Sequence, residues 1–489
     1  MTGRPNILLI LTDQHRLSAV GAYGPTPCLT PNVDRLASQG VLFEKAYTVC
    51  PVCSPARATI MTGQFPHSHG ITSNVHNLGS SVHELEDRPS LLSRRLEAAG
   101  YSLGYTGKWH LGTDRTEAFG GSNRPSLPKD VGFEGQNFPG HGGGGFNYPE
   151  YRKYLAERGL RHKVKPWAER TKLFHPMGEL EGPVESTVPY FLAENTISLI
   201  DRFARRGRPF FIWHNFWGPH APFYAPKEFV DMYRDVEIPP WPNYEWPSRS
   251  IPGPHHVKIH PDAERLTWED WATAVRYYYA FTTLIDSQIG RILDHLEERG
   301  LADETAVIFA ADHGQTLGSH GGLIDKGWHH FEETHRIPLI IRLPGGEGGG
   351  KVVSELVSLA DLYPTILDLA GVEWDRGSVH GESLLPLIEG TCEGWRDMVV
   401  VEFGGVNDLA MTQRTLRWGD LKYGYNCCCE DELYDLSVDP NETRNLIAHP
   451  DYREAADELR RMLEGWMEET GDPALRMFRN AMRYYKKGI

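Results

Sequence analysis

Four short, continuously apolar runs, each broken at once by polar residues, constrain this chain more than any other feature. Ile7-Leu-Leu-Ile-Leu11 gives way to Thr12-Asp13-Gln14-His15, and residues 101–105 give way to Thr106-Gly107-Lys108-Trp109-His110. Phe210-Phe-Ile-Trp213 leads through His214 and Asn215 to Gly218-Pro219-His220, and Ala306-Val-Ile-Phe-Ala310 leads to Asp312-His313-Gly314. A strand with one wet face alternates polar and apolar residues, whereas a strand covered on both faces does not. Between the runs, residues 90–99 and 271–299 space their apolar side chains by three and four, the helical period. Strands alternating with helices predict an α/β fold around a mostly parallel sheet. Sites in such folds form beyond the carboxyl ends of the strands. Four strand ends carrying Asp, Gln, Lys and His are therefore expected to meet in one pocket.

The pattern changes near residue 390. Residues 398–403, 411–418 and 422–425 read as short antiparallel strands and residues 455–470 as an amphipathic helix. The expectation is a large domain over 1–390 and a smaller α+β subdomain over 391–489. Residues 471–489 read as a loose basic tail or an oligomer contact, and Gly142–Gly145 as a flexible loop without the lysine of a phosphate-binding loop.

The net charge of −15 argues against nucleic acid or an anionic membrane as partner. No run of 18 apolar residues predicts a membrane span, and Ile7–Leu11 is too short for a signal-peptide core. Seven cysteines without disulfide-framework spacing fit a reduced, cytoplasmic protein. Cys427-Cys428-Cys429 lacks the spacing of a zinc knuckle and reads as surface or packing cysteines.

The strongest chemical signal is Pro51-Val-Cys53-Ser-Pro55-Ala-Arg57-Ala-Thr-Ile-Met-Thr62-Gly63. Pro55 suits a first helical turn and Gly63 a stop. Cys53 then sits at a helix N-terminus, where the dipole favours an anion. Arg57, one turn on, points to the same side with a fork suited to sulfate or phosphate oxygens. Cys50-x-x-Cys53 read alone is a redox dithiol, but that reading leaves Pro55, Arg57 and the acids of the other strand ends unexplained.

Cys53-x-Pro55-x-Arg57 resembles the maturation signature of the type I sulfatases. The blocks at 6–14, Gly107-Lys108-Trp109-His110, Pro219-His220, Asp312-His313-Gly314, Lys326 and 332–341 are also similar to that family, in the family's order. So is the stretch 432–442, which extends the resemblance over nearly the whole chain. It implies an alkaline phosphatase-like α/β/α sandwich. It also implies that Cys53 is converted to formylglycine by a formylglycine-generating enzyme and that a sulfate monoester of a carbohydrate, aryl or small alcohol is the substrate. Asp13, Gln14, Asp312, His313 and residue 53 are implied metal ligands. Ca²⁺ is the first choice, with Mn²⁺ favoured somewhat by an imidazole where many relatives carry Asn. Arg57 and Asp312 would activate one hydroxyl of the aldehyde hydrate, and Lys108 and Lys326 would neutralise the ester oxygens. His220 would protonate the leaving alcohol and His110 would deprotonate the second hydroxyl. The nearest alternative is hydrolysis of phosphonate monoesters or phosphodiesters with the same site, although relatives of that type tend to lack the lysine at position 108. A catalytically silent binding protein with unmodified Cys53 is the alternative from another class. His67, His69, Asn74, His76, His214, Trp217, His329 and His330 are candidates for the outer pocket. Residues 139–165 and 223–261 are expected to carry specificity.

Overall fold

A computed structural model of the chain describes residues 4–113, 124–167, 176–245, 253–258, 265–407 and 409–485. Parts of the expected specificity region 223–261 and the last four residues of the basic tail lie outside these. Fifteen strands are described: β1 (Asn6–Asp13), β2 (Val41–Tyr47), β3 (Ser102–Gly107), β4 (Glu134–Gly135), β5 (Lys163–Pro166), β6 (Met177–Glu181), β7 (Phe210–Pro219), β8 (Phe223–Pro226), β9 (Thr305–Ala311), β10 (Leu339–Arg342), β11 (Lys351–Ser358), β12 (Met398–Val406), β13 (Leu409–Trp418), β14 (Leu421–Asn426) and β15 (Glu432–Asp435).

The central sheet has eight strands in the order β11-β2-β10-β9-β1-β7-β3-β4. β1, β3, β7 and β9 run parallel, and only β10 lies antiparallel to its neighbours. Every residue of β1, β3, β7 and β9 is buried, as continuous apolar runs require. Ile7, Leu9 and Leu11 face one layer, with the helices Cys53–Thr62, Leu92–Ala98 and Leu362–Leu369. Leu8 and Ile10 face the other, with the helices Pro31–Gln39, Val188–Ala204 and Trp268–Glu298. The result is a three-layer α/β/α sandwich with a core on each side of the sheet.

The second sheet is antiparallel, β12-β13-β14-β15. Val400, Leu416, Tyr423 and Leu433 join the same apolar cluster as one face of the central sheet, together with Leu459 and Leu463 of the helix Arg453–Thr470. A buried network fastens this end. His67 Nδ1 lies 2.7 Å from Glu402, and Arg414 holds Asp472 through two bonds of 2.6 and 2.9 Å.

Two local expectations differ from the structure, and one small sheet forms where the sequence gives no expectation. Residues 475–485 form a helix rather than a loose tail, because fully buried Phe478 packs on the Tyr425 ring, 4.9 Å between centroids. Gly142–Gly145 is a compact turn with Gly142 and Gly145 buried. A small sheet β5-β6-β8 forms in a region without apolar periodicity.

At the end of β3 the chain passes so close to β7 that a Cβ on Gly107 would lie 1.7 Å from the Asn215 carbonyl oxygen, and its φ is 91°. Gly107→Ala is expected to cost about 3 kcal/mol or more, from backbone displacement and left-handed strain. A thermal melt checks this; an unchanged Tm would contradict the packing described.

Candidate active site

The sheet order decides which polar residues meet. β9, β1, β7 and β3 are adjacent and parallel, with Thr12 beside Ala311, Leu11 beside Asn215, and Asn215 beside Gly107. Asp312, Asp13, Asn215 and Lys108 therefore stand in a row at the carboxyl edge. The helix Cys53–Thr62 is buried along residues 53–61 and carries Cys53 and Arg57 against this edge.

Arg57 joins the row. Its Nε donates to Asp312 Oδ2 at 3.1 Å, and its Nη1 donates to Asn215 Oδ1 at 2.8 Å and the Lys108 carbonyl at 3.0 Å. Its Nη2 reaches Asp312 Oδ2 at 3.0 Å and Asp13 Oδ2 at 3.4 Å. Lys108 Nζ is paired with Asp13. Cys53 Sγ lies 3.3 Å from His313 Nε2, 3.3 Å from Lys326 Nζ and 3.5 Å from Asp13 Oδ1. Gln14 enters with φ of 59°. Its backbone N–H donates to Asp312 Oδ1 at 3.1 Å, its Oε1 accepts from Lys326 at 3.0 Å, and its Nε2 donates to Asp325 at 2.8 Å.

Burial alone would push these groups towards neutrality. It pushes the Asp13 carboxyl up, but Lys108, Lys326 and Arg57 together hold it well below the usual carboxylate range. Burial and Asp13 raise the Cys53 thiol, and Lys108, Lys326 and His313 outweigh them, so the net direction is down. Burial works against charge on Lys326, yet Cys53, Asp325 and the two aspartates keep it above its ordinary value. The Cys50 thiol, by contrast, is raised by burial and Glu402, and all seven cysteines are free. A low-pKa dithiol needs the opposite environment at position 50.

Asp13, Cys53, Asp312 and His313 bring ligand atoms within 4.8 Å of one another, all buried. Two carboxylates, one imidazole and the side chain of residue 53, whose sulfur stands where a formylglycine would present oxygen, make a donor set that fits a divalent cation. Gln14 Oε1, held by Lys326, is a further oxygen donor nearby.

His110 and His220 flank the cluster. His110 is fully buried, has φ of 56° and stacks on His76 at 5.3 Å. His220 donates its backbone N–H to the Asp13 carbonyl at 2.9 Å, and its Nδ1 lies 2.7 Å from the Ala221 carbonyl. Asn74 Oδ1 accepts the Ser54 N–H at 3.2 Å, at the start of the Cys53 helix.

The remaining candidates are engaged elsewhere. His69 Nε2 lies 3.1 Å from Thr59 Oγ1, and His214 Nδ1 lies 2.7 Å from Thr196 Oγ1. Trp217 Nε1 donates to the His141 carbonyl. His330 is bound to Thr415 and Asn426 of the second sheet, and His329 stacks on Phe331. His67 belongs to the Glu402–Arg414–Asp472 network.

Asn215 and Asp325 carry no site expectation from the sequence, and His141 enters there only as one residue of the 139–165 stretch expected to carry specificity. Asn215 lies two residues past Trp213, so strand alternation places it on Arg57's face, and Asp325 adjoins Lys326.

Residues 5–372 match the family model for sulfatases, and residues 318–469 match that for the C-terminal region of N-sulphoglucosamine sulphohydrolase. An uncharacterised sulfatase of Escherichia coli is 30% identical over 99% of this chain and 91% of its own. An N-acetylglucosamine-6-O-sulfatase of Bacteroides thetaiotaomicron is 28% identical over 96% of this chain and 88% of its own. Among solved structures, a phosphonate monoester hydrolase of Agrobacterium radiobacter superposes with a TM-score of 0.78 at 27% identity, covering 96% of each chain. The fold is the alkaline phosphatase-like one, and the chain belongs to the sulfatase family. It is a sulfuric ester hydrolase, of a family that works with a metal ion and a formylglycine.

Asn215→Ala would leave a charged, buried N–H of Arg57 without its acceptor. The expected cost is about 1–3 kcal/mol of stability and roughly tenfold in kcat/KM for an aryl sulfate. A melt and a rate assay check this; wild-type values in both would show that Asn215 does not hold Arg57.

Proposed function

We propose that this chain hydrolyses a sulfate monoester to an alcohol and inorganic sulfate. Its nucleophile is Cys53 after conversion to formylglycine, beside one divalent cation held by Asp13, Gln14, Asp312, His313 and residue 53. Ca²⁺ is the preferred ion and Mn²⁺ the second, because the donors are mainly oxygens with a single imidazole. The carrying observation is the convergence of Lys326, His313 and Asp13 on the side chain of residue 53 at 3.3–3.5 Å.

When bound, the cation would favour ionisation of a hydroxyl and offset negative charge on the ester. An aldehyde hydrate has two hydroxyls, one to attack sulfur and one to expel sulfate afterwards, whereas Ser and Cys have no second group. Arg57 is locked by Asp312, Asn215 and the Lys108 carbonyl, so it aligns charge at residue 53 without reorganising. Lys108 and Lys326 approach from opposite partners, Asp13 and Gln14, and would take the non-bridging oxygens. His220 Nδ1 donates to the Ala221 carbonyl, so Nε2 takes up a proton when the ring becomes an imidazolium and can then give it to the leaving alcohol. Burial holds His220 well below its ordinary pKa in the free site, and an anionic ester would oppose that bias. His110 would remove the proton of the second hydroxyl.

The likeness to a phosphonate monoester hydrolase supports a second reading in which the same site takes phosphonate monoesters. The two separate by kcat/KM on an aryl sulfate and its matching aryl phosphonate, using protein co-expressed with a formylglycine-generating enzyme. Preference for the sulfate, lost at least about a thousandfold in Cys53→Ala, is the expected result. A phosphonate preference would overturn the substrate assignment.

Metal analysis gives a further check. The wild-type protein is expected to hold one divalent ion, Asp312→Ala none, and chelation should abolish turnover until the ion is restored. Full activity after chelation would contradict the ligand set.

A further inference from the structure

Four imidazoles form a continuous chain over the site. His76 stacks on His110 with centroids 5.3 Å apart, His110 meets His141 edge-on at 5.1 Å, and His141 meets His220 at 4.9 Å. His110, Lys108 and Cys53 are fully buried, whereas His76, His141 and His220 are half-buried. The half-buried rings are therefore the solvent side of this group. His141 occupies the middle position there, touching both of the rings assigned above to the second hydroxyl and the leaving alcohol.

The position of His141 is fixed from two sides. The His110 N–H donates to the Pro139 carbonyl at 3.2 Å, and the His141 carbonyl accepts from Trp217 Nε1. The four glycines that follow have φ of 70, 54, 81 and 86°. A Cβ on Gly142 or Gly145 would lie 3.2 or 2.9 Å from the Trp217 ring. The glycine run thus lets the backbone press on Trp217 and holds the imidazole over the site.

Burial, with Lys108 nearby, holds His141 well below the ordinary histidine pKa, in the direction of a neutral ring. A neutral imidazole offers one N–H and one lone pair. A ring nitrogen of this kind matches a hydroxyl or ether oxygen of an alcohol, and Lys108 and Lys326 lie further inside, on Asp13, Gln14 and Cys53.

We propose that His141 is a specificity-determining residue that binds the alcohol part of the ester beside the leaving oxygen. The proposal rests on the sulfatase reading above.

The test uses matured holoenzyme, with 4-nitrophenyl sulfate and glucose 6-sulfate as substrates and inorganic sulfate as a product inhibitor. His141→Ala is expected to raise KM for glucose 6-sulfate at least tenfold, with a smaller rise for the aryl ester and a Ki for inorganic sulfate within twofold of wild type. His141→Gln, which keeps a donor and an acceptor, should recover most of the loss. An unchanged KM for both esters, or a parallel loss of sulfate inhibition in both variants, would overturn the proposal. If His141→Ala fails to fold, the Gln variant and the ratio of the two KM values decide the matter alone. A wild-type enzyme that cleaves phosphonate in preference to both sulfates would instead mark failure of the underlying reading.

Discussion

The ion pairs of Arg57 with Asp13 and Asp312 are the constraint on which the rest of the site depends. All three side chains are fully buried. Taking such charges out of water costs several kcal/mol each, and removing one partner of a buried pair typically destabilises by about 3–5 kcal/mol. The arrangement therefore persists only because the parallel sheet delivers both carboxylates at one edge and the Cys53–Thr62 helix delivers the guanidinium between them. Asn215 and the Lys108 carbonyl take the remaining N–H of the fork. The chain places five formal charges here, Asp13, Asp312, Arg57, Lys108 and Lys326, and no single one of them would be stable alone.

That mutual dependence also explains how an acidic protein accepts an anionic ester. The global charge of −15 governs long-range steering and says little about a site whose charged side chains are buried. Inside, Arg57, Lys108 and Lys326 face Asp13 and Asp312, with Asp325 at the edge beside Gln14 and Lys326. Around residue 53 the nearby cations outweigh burial and Asp13, and Cys53 feels this as a lowered thiol pKa. A divalent ion among Asp13, Gln14, Asp312 and His313 would add to this bias, and Lys326 reaches residue 53 from outside that ligand set.

Much of the architecture was legible in the sequence because its physical cause is local. A run such as Ile7–Leu11 has no polar residue to turn towards water, so it must lie in the middle of a sandwich, and the structure buries all of β1. The order of the motifs along the chain similarly foreshadowed the strand ends that meet. What stayed hidden depends on three-dimensional neighbours. Asn215 gains its place only through the β7–β3 register, and His141 only because glycines let the chain press on Trp217. The outer-pocket histidines could not be sorted by sequence, since His214 and His330 differ from His110 only in which partner lies across the gap. The tail is helical because Phe478, with Ala474, Leu475, Ala481 and Met482, packs on the core cluster, while Arg479 pairs with Glu464 and Glu468.

The central claim is that the charge cluster exists to house a formylglycine at position 53. Mass spectrometry of the tryptic peptide spanning residues 46–57, from protein co-expressed with the maturing enzyme and assayed beforehand, tests it most directly. The account predicts alkylation at Cys50 and, at residue 53, an aldehyde in place of the thiol, in proportion to specific activity. A fully active preparation in which both cysteines are alkylated would contradict it.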